Sequence, residues 1–290
     1  MNYSNEIKTV VFPVAGIGSR FLPVTKIVPK ELLPILNKPL IEYAINEAID
    51  AGIQKFIFVT SPEKESIIDY FKSDKKLEDI LRKKNPELLE LVTNNLIFDS
   101  NLIEVIQEQP LGLGHAIWCA REYIDGPFAV ILPDDLVISN VSCIKQMINS
   151  FKEHKANIIA LQEVDKKDIS KYGAIKYNKN NKNLYFIEDM IEKPSPKEAP
   201  SNLAIIGRYI LLPGVIKELS NKEIGVGGEI QLTDAIKNTI NSDGVLGIKF
   251  EGSRYDCGNI IGALEAQLSV ALKDIKYRDQ VLGIVNKILK

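Results

Sequence analysis

Cysteine is scarce in this chain of 290 residues, and Cys119, Cys143 and Cys257 are odd in number and widely spaced. Such spacing indicates neither a disulfide framework nor a zinc site, and it is consistent with a reducing cytoplasm. The sequence also lacks any apolar run near the roughly 20 residues that span a bilayer. Its N-terminus has no basic region followed by an apolar segment, so a secretory signal is not expected. We therefore expect a cytoplasmic protein that does not enter membranes.

An excess of charge of either sign is missing as well. The chain has 36 Lys and Arg against 38 Asp and Glu, which gives a net charge of −2. This balance predicts no general attraction to nucleic acid or anionic membranes, so an anionic ligand would need local binding groups. Internal repeats, low-complexity tracts and clear linkers are absent too, and the length suits one large α/β domain.

Apolar runs and helical periodicities alternate through the first half of the chain. The predicted strands are 9–14, 55–60, 102–107, 128–135 and 157–163, and the predicted helices are about 40–51, 63–71, 112–124 and 142–154. This order indicates a parallel sheet with helical crossovers. The charged segment 73–101 is less regular, and we expect it to be a helical excursion on the surface.

The pattern changes in the second half. Residues 172–194 alternate around an Asn/Lys turn and predict an antiparallel hairpin, followed by strands at 203–213 and 245–252 and helices at 229–244 and from 258 onward. We therefore expect an α/β fold with a Rossmann-like, mixed, mostly parallel sheet flanked by helices. A smaller β-rich insertion at about 160–225 and a C-terminal helical segment would complete a single domain over 1–290.

A glycine turn comes directly after the first predicted strand, where a phosphate-binding loop is often found. The dinucleotide fingerprint needs a third glycine where this chain has Phe21, and the P-loop needs a Gly-Lys-Ser/Thr ending that is absent. The turn leads instead into a proline-rich loop, in which Arg20 and Lys30 can bind several phosphates at once. This combination suits a triphosphate that is cut between its α and β phosphates, although a plain loop with solvated lysines is the simpler alternative.

The stretch "VAGIGSRFLPVTKIVPKELLPILNKPLIEYAINEA" resembles the signature of the nucleotidyltransferases that join a nucleoside triphosphate to a sugar 1-phosphate. The blocks "PLGLGHAIWCA", "ILPDDL", "EKP", "PSNLAIIGRYIL", "GGEIQLTDAI" and "YDCGN" come after it in the order of that family. The resemblance implies a nucleotide-binding core at about 1–155, a sugar-phosphate-binding part at about 156–258 and C-terminal helices at about 259–290. It implies UTP, glucose 1-phosphate and Mg²⁺ as the substrates and cofactor. It places Ala15, Gly16 and Gly18 at the nucleotide and makes Arg20, Lys30 and Lys193 the catalytic cations.

Two acids, Asp134 and Asp135, end a predicted buried strand, at the sheet edge where α/β proteins bind ligands. A carboxylate there can hold Mg²⁺, and an ordinary turn explains the two acids equally well. The resemblance implies that Asp134 is the metal ligand and that Asp256 approaches the metal from the other side.

Glu192 and Lys193 are adjacent, so on an extended segment they point to opposite sides unless the chain bends. Pro194 favours an extended Lys193, and an exposed charged turn is the simpler alternative. The resemblance implies that Glu192 binds sugar hydroxyls, that Lys193 contacts the sugar phosphate, and that Gly173 allows the chain to pass close to the sugar ring.

A second glycine turn, in "IQEQPLGLGHA", precedes a predicted helix. The amide of Gln107 offers a donor and an acceptor suited to a uracil edge. The spacing that the resemblance implies selects Gln107 rather than Gln109, with Gly112 under the base. We expect His115 to be structural, because no partner lies at triad or metal spacing. We interpret Glu229 as part of a capped helix rather than as catalytic.

Other functions remain open at this stage. A thymidylyltransferase differs from the uridylyl branch in a few pocket contacts, although "PLGLGHA" and "GGEIQLTDAI" favour uridylyl transfer. A non-catalytic nucleotide-sugar regulator would not need the full charged set, and a nicotinamide dehydrogenase would need the missing glycine. The family usually forms dimers or tetramers, so we expect a homodimer or homotetramer.

Overall fold

The structure is a computed structural model that describes residues 6–93 and 101–289. Its strands are β1 (Thr9–Pro13), β2 (Pro34–Ile35), β3 (Lys38–Pro39), β4 (Lys55–Thr60), β5 (Leu102–Ile106), β6 (Phe128–Ile131), β7 (Asp135–Ile138), β8 (Asn157–Glu163), β9 (Gly173–Asn181), β10 (Leu184–Glu192), β11 (Leu203–Leu211), β12 (Val245–Lys249) and β13 (Ser253–Asp256). Its helices are α1 (Leu40–Asp50), α2 (Glu65–Asp69), α3 (Lys75–Lys84), α4 (Leu89–Thr93), α5 (Leu113–Cys119), α6 (Cys143–His154), α7 (Gly214–Leu219), α8 (Leu232–Asn238), α9 (Ile240–Asp243), α10 (Ile260–Lys273) and α11 (Arg278–Ile288).

One sheet of nine strands organises the chain, in the order β5-β4-β1-β6-β11-β8-β12-β10-β9. All of these strands except β10 and β11 run in one direction, because those two pair antiparallel with each of their main neighbours. The predicted mixed, mostly parallel α/β sheet is therefore confirmed. Helices separate β1 from β4 and β4 from β5 along the chain, as parallel neighbours in a sheet require.

Both faces of the sheet are buried, which explains the long apolar runs in its central strands. Along β1, Val10 and Phe12 pack into the core layer that contains α1 and α6, whereas Val11 packs into the layer that contains α5, α7 and α8. This alternation results from the two-residue side-chain period of a strand. The helices thus enclose the sheet and leave the ends of its strands for binding.

The strand-rich segment at 160–225 is not a separate insertion. β11 lies inside the main sheet between β6 and β8, and the β9–β10 hairpin extends the same sheet at its edge. Sequence patterning shows that these strands exist but not which strands they pair with, because pairing depends on tertiary contacts. The supposed nucleotide and sugar parts therefore share one continuous sheet.

The strand predicted at 128–135 is shorter than expected, and a second strand begins at its last residue. β6 ends at Ile131, the chain turns with the Asp135 amide donating to the Leu132 carbonyl at 3.2 Å, and β7 then pairs with β13 in a separate sheet. Pro133 has no amide hydrogen to continue the ladder. This turn brings the acids at 134 and 135 beside Asp256, which is the last residue of β13.

Several predicted helices are shorter or interrupted. The helix predicted at 112–124 ends at Cys119, and the one predicted at 229–244 consists of α8 and α9 with irregular chain before them. In the 73–101 excursion α3 and α4 are helical as expected, and residues 94–100 lie outside the described residues. The C-terminal helical segment is confirmed as α10 and α11. Within 6–93 and 101–289 there is no helix with the length and apolar character to cross a membrane.

A buried ion pair joins α1 to the central strand β11. The Arg208 guanidinium is 1% exposed and donates to Glu47 Oε2 from Nε at 3.0 Å and from Nη2 at 2.8 Å. The other oxygen of Glu47 accepts from the amide of Ile144 at 3.1 Å, at the start of α6. Because each charge is buried, each depends on its partner for compensation.

We expect Glu47→Ala to lower the free energy of unfolding by about 3–5 kcal/mol, because it leaves the Arg208 charge buried and unpaired. Urea denaturation followed by circular dichroism measures this. Asp50→Ala, at the exposed end of the same helix, is the matched control and should change stability by less than about 0.5 kcal/mol. A similar small change for Glu47→Ala would contradict this account of the pair.

Candidate active site

The chain after β1 forms no long helix, as the prolines predict. It makes three short 3₁₀ turns at Ser19–Phe21, Val24–Lys26 and Lys30–Leu32. Lys64, which is 7% exposed, holds this loop in place. Its ammonium donates to the carbonyls of Val14 and Gly16, each at 2.6 Å, and to Glu31 Oε2 at 3.0 Å. One buried cation therefore fixes the start and the end of the loop.

Lys64 and Glu31 are both buried, and each stabilises the charged form of the other. Burial lowers the pKa of Lys64 and raises the pKa of Glu31, and the Coulomb attraction between the two opposes both shifts. Sequence reasoning singled out neither residue as functional. The loop carbonyls that Lys64 binds lie 50 and 48 positions away in the chain, and no local pattern reports such a contact.

Four charged side chains predicted to be functional meet above this loop. Lys30 Nζ lies 2.6 Å from Asp134 Oδ2. The other two side chains approach the same point beside Gly258. A Cβ placed on this glycine would lie 3.0 Å from Asp256 Oδ1, 3.2 Å from Asp134 Oδ2 and 3.5 Å from Arg20 Nη1. Two cations and two carboxylates therefore converge within a few ångströms, although their positions span most of the chain.

The Lys30–Asp134 pair is strongly charged. Burial alone would lower the pKa of Lys30, but the carboxylates of Asp134 and Glu31 raise it to about 12. Burial alone would raise the pKa of Asp134, but the Lys30 ammonium holds it below its ordinary value. Both groups are therefore ionised at neutral pH, as phosphate and cation binding would require.

A second hydrogen-bond network orients the carboxylates of Asp135 and Asp256. Its other members were not identified as functional from the sequence. Arg254 donates from Nε to Asp135 Oδ1 at 2.6 Å and from Nη1 to the Tyr172 hydroxyl at 3.0 Å. That hydroxyl donates to Asp256 Oδ2 at 3.5 Å. The other oxygen of Asp135 accepts from the Gly207 amide at 2.7 Å. Asp135 is thus a structural anchor, whereas the neighbouring Asp134 faces the cations.

The residues fit a magnesium site of the kind that relies on substrate phosphates. Mg²⁺ prefers oxygen ligands and is commonly held by one or two carboxylates, waters and phosphates. Asp134 and Asp256 present two such carboxylates to one point. In the part of the chain that the structure describes, no three acidic, His or Cys side chains form a complete metal cage. The protein oxygens suit an ion that arrives with a phosphorylated ligand.

A cleft of about 230 Å³ lies beside the glycine loop, and Ala15, Gly16, Gln107, Gly112 and Glu229 are among its lining residues. A Cβ on Gly112, whose φ is +103°, would lie 2.7 Å from Glu229 Cβ and 2.9 Å from the Ile230 carbonyl. Only glycine fits there. Gly18 does not line this cleft, and it begins the first 3₁₀ turn with φ at +70° instead.

Two hydrogen bonds hold the chain around Glu229 against the second glycine turn. The Ile230 amide donates to the Leu111 carbonyl at 2.8 Å, and the Gly114 amide donates to the Ile230 carbonyl at 2.8 Å. Two of the blocks that favour uridylyl transfer thus build one wall together. Glu229 is a wall residue of this cleft, in addition to preceding α8.

A smaller cleft of about 140 Å³ is lined by Gly173, Glu192 and Thr233 among others, and it shares Leu113 with the first cleft. Glu192 Oε2 accepts from the Thr233 hydroxyl at 2.6 Å. A Cβ on Gly173 would lie 3.2 Å from the same oxygen and 2.9 Å from Ile205 Cδ1. Gly173 therefore permits close approach here, next to a carboxylate that can accept from hydroxyl groups.

Lys193 departs from its predicted conformation. Its φ is +46°, whereas Pro194 favoured an extended residue at this position. Its amide donates to the Tyr172 carbonyl at 3.1 Å, and this contact stabilises the bend. The bend brings Lys193 Nζ to 3.6 Å from Glu192 Oε1, so the two neighbours lie on the same side of the chain. Lys193 is not among the residues that line the smaller cleft.

The two clefts adjoin each other, and each is connected to the charged cluster through one of its lining residues. Gly16 lines the first cleft and is tied through Lys64 to Glu31, next to Lys30. Asp135 lines the second cleft and adjoins Asp134. Two anionic ligands bound in the two clefts would therefore meet at the cluster, where cations can reduce their repulsion.

The chain is similar to known proteins over most of its length. The model of the nucleotidyl transferase family matches residues 10–272. The chain belongs to the nucleotidyl transferase family. It is 43% identical to UTP–glucose-1-phosphate uridylyltransferase 1 of Staphylococcus saprophyticus, over 98% of this chain and 100% of that protein.

Solved structures of similar nucleotidyl transferases carry ligands. A UDP-glucose pyrophosphorylase complexed with UDP-glucose is similar at a TM-score of 0.83 and 41% identity, over 93% of this chain and 100% of that chain. A UTP-bound enzyme of this kind from Acinetobacter baumannii is similar at a TM-score of 0.88 and 36% identity, over 97% and 99%. The fold predicted from the sequence is that of these structures.

We expect Lys64→Met and Glu31→Gln each to lower stability by about 2–4 kcal/mol, because each leaves buried polar groups without a partner. The double variant should lose clearly less than the sum of the two single losses, since neither residue then remains unpaired. Urea denaturation of the four proteins measures the coupling. Lys26→Met, in the exposed part of the same loop, is the control, and strictly additive losses would contradict the pairing.

Proposed function

We propose that this chain transfers UMP from UTP to glucose 1-phosphate, which yields UDP-glucose and pyrophosphate. The observation that carries this proposal is a pair of clefts that share Leu113, one lined by Gly16 and the other by Asp135, with the Lys30–Asp134 pair next to these residues in the chain or through Lys64. The larger cleft suits the nucleotide and the smaller one suits the sugar. The relatives named as UTP–glucose-1-phosphate uridylyltransferases supply the identity of the two substrates.

The reaction is a direct displacement at phosphorus. A phosphate oxygen of glucose 1-phosphate forms a bond to the α-phosphorus of UTP, and the bond to the oxygen that bridges to the β-phosphorus breaks. The nucleophile needs no general base, because a phosphate monoester with a second pKa of about 6 is largely dianionic at neutral pH. The work of the protein is therefore alignment and charge compensation.

The cations carry the charge compensation. Arg20 and Lys30 stabilise the negative charge that accumulates on the departing pyrophosphate. Lys193, on the bend beside Glu192, reduces the repulsion between glucose 1-phosphate and UTP. Asp134 and Asp256 would hold Mg²⁺, which when bound neutralises charge on the α-phosphate.

Each cleft binds one of the two substrates. Ala15, Gly16 and Gly18 approach the nucleotide through their backbone, and Gln107 and Gly112 contact the uracil. Glu192 accepts hydrogen bonds from sugar hydroxyls, and Gly173 lets the ring approach the β9 backbone. In this arrangement glucose 1-phosphate contacts the protein mainly through hydroxyl groups and its phosphate, and specificity depends on these polar partners.

The alternative of thymidylyl transfer has less support. The relative from Staphylococcus saprophyticus, which matches over nearly the full length, carries the uridylyltransferase name, and the Glu229 segment that borders the larger cleft comes from a block typical of that branch. A homodimer or homotetramer and a cytoplasmic location are further proposals, supported by the family resemblance and by the balanced composition of the chain.

We expect purified protein with Mg²⁺ and glucose 1-phosphate to release pyrophosphate from UTP much faster than from dTTP, ATP, CTP or GTP. A coupled pyrophosphate assay measures this, and UDP-glucose is identified by chromatography. Omission of glucose 1-phosphate is the control and should abolish release. If dTTP outcompeted UTP, the chain would be a thymidylyltransferase, and release from none of the five would reject the enzyme proposal.

We expect Asp134→Ala to lower kcat about 100-fold or more, because it removes a carboxylate from the proposed Mg²⁺ site and the partner of Lys30. Isothermal calorimetry should show weaker Mg²⁺ binding in the presence of UTP. The folded structure should persist, because Lys30 remains partly exposed to water. Asp79→Ala on the exposed helix α3 is the control. Near-normal turnover of Asp134→Ala would contradict the assignment.

A further inference from the structure

The side-chain amide of Gln107 has a defined orientation at the base cleft, which is the larger of the two clefts and is lined by Gln107, Gly112 and Glu229 among others. Its Nε2 lies 2.9 Å from His115 Nδ1 and 3.3 Å from the Gly112 carbonyl oxygen. A carbonyl oxygen can only accept a hydrogen bond, so the amide nitrogen, not the amide oxygen, must face Gly112. Gln107 is 6% exposed and lines the base cleft. With both amide hydrogens directed at Gly112 and His115, its Oε1 is left to accept from a ligand.

We propose that His115 is a specificity-determining positioning residue, whose neutral Nδ1 accepts from Gln107 and keeps the Gln107 carbonyl oxygen directed at the base. This inference rests on the proposed function. The N3 of uracil carries a hydrogen and donates, whereas the N3 of cytosine has a lone pair and accepts. A fixed acceptor at Gln107 therefore selects uracil and opposes cytosine. The His115 ring itself contacts Gln107 and not the nucleotide.

The surroundings of the ring favour this neutral form. Cys119 Sγ lies 3.8 Å from His115 Nε2 and 3.9 Å from Nδ1, so the sulfur favours neither nitrogen, and the amide hydrogen of Gln107 is what requires a lone pair on Nδ1. Trp118 stacks on the ring with centroids 6.2 Å apart, and Arg121 lies over that indole. Lys222, which lies just after α7, also contacts the indole and adds positive charge there. Burial first and Lys222 second lower the pKa of His115.

Protonation would weaken the selection. A protonated ring has a hydrogen on Nδ1 and can only donate, so the 3.3 Å bond to the Gly112 carbonyl alone still favours the present orientation of the Gln107 amide. The protonated ring instead favours a turned amide, with its oxygen toward His115 and its nitrogen toward the base. That arrangement opposes uracil N3–H and suits cytosine N3. Because the pKa of His115 lies below its ordinary value, the uracil-selective form is present at neutral pH and is lost only as the pH falls into the acid range.

Two variants, His115→Phe and His115→Asn, test the role of the Nδ1 hydrogen-bond acceptor separately from that of the aromatic ring. Phe preserves stacking on Trp118 but removes Nδ1, so only the longer bond to the Gly112 carbonyl, at 3.3 Å, then holds the amide orientation. We expect the ratio of Kd for CTP to Kd for UTP to fall about tenfold, mainly because CTP binds better. Asn places a carbonyl oxygen near the former Nδ1, so it should retain the wild-type ratio but lose its dependence on acid pH. Cys119→Ala leaves Nδ1 in place and is the matched control.

Calorimetry of UTP and CTP at neutral and acid pH measures these values whether or not turnover occurs. If His115→Phe weakens both nucleotides equally, the ring is merely structural and the proposal is overturned. If the wild-type and His115→Asn ratios change alike with pH, the titrating group is another one, which also overturns it. Failure of the wild type to release pyrophosphate would reject the proposed function, and these binding ratios would still decide the role of His115.

A spectroscopic readout is independent of nucleotides. Trp118 is the single tryptophan of the chain, and protonated histidine quenches a stacked indole. We expect wild-type fluorescence to fall at acid pH with a midpoint below the ordinary histidine value, and the same midpoint should govern the CTP-to-UTP ratio. This transition should be absent in His115→Phe and His115→Asn. Persistence of the transition in both variants would exclude His115 as the titrating group.

Discussion

The hydrogen bonds of the buried Lys64 ammonium are the interaction on which the site depends. They hold the carbonyls of Val14 and Gly16 and pair with Glu31. Gly16 lines the nucleotide cleft, and Glu31 is adjacent to Lys30 in the charged cluster. The same cation therefore positions a cleft wall and Lys30, for which we propose a phosphate-binding role. A flexible loop could not keep these groups in register, because ordering it would cost conformational entropy at each binding event.

The charged cluster is balanced before any ligand arrives. Lys30 is paired with Asp134, and Arg254 supports the Asp135 and Asp256 side through direct and Tyr172-mediated contacts. Preformed pairing limits the reorganisation needed when phosphates bind, which is the condition for electrostatic preorganisation. A triphosphate with its metal would exchange these internal partners for its own charges. The protein thus keeps strongly ionised groups at a partly buried site by pairing them with one another.

The nine-stranded sheet connects the two clefts. β11 lies between β6 and β8, so the strand that precedes the Asp134 turn and the strand that contributes Ile205 to the sugar cleft are direct neighbours. The bend at Lys193 then places two adjacent charged residues on one side of the chain. The two clefts that we propose for the nucleotide and the sugar are therefore built on one continuous sheet.

The sequence by itself determined the alternation of strands and helices, the proline-rich loop without a long helix, and the residues with phosphate or cation chemistry. These depend on local propensities and on side-chain chemistry, which short stretches report. Tertiary structure alone decided that β11 enters the main sheet, that Lys193 bends, and that Lys64, Arg254 and His115 contact Glu31, Asp135 and Gln107 respectively. Each of those features depends on partners far away in the chain or on a backbone angle set by them, and no local pattern encodes such a partner.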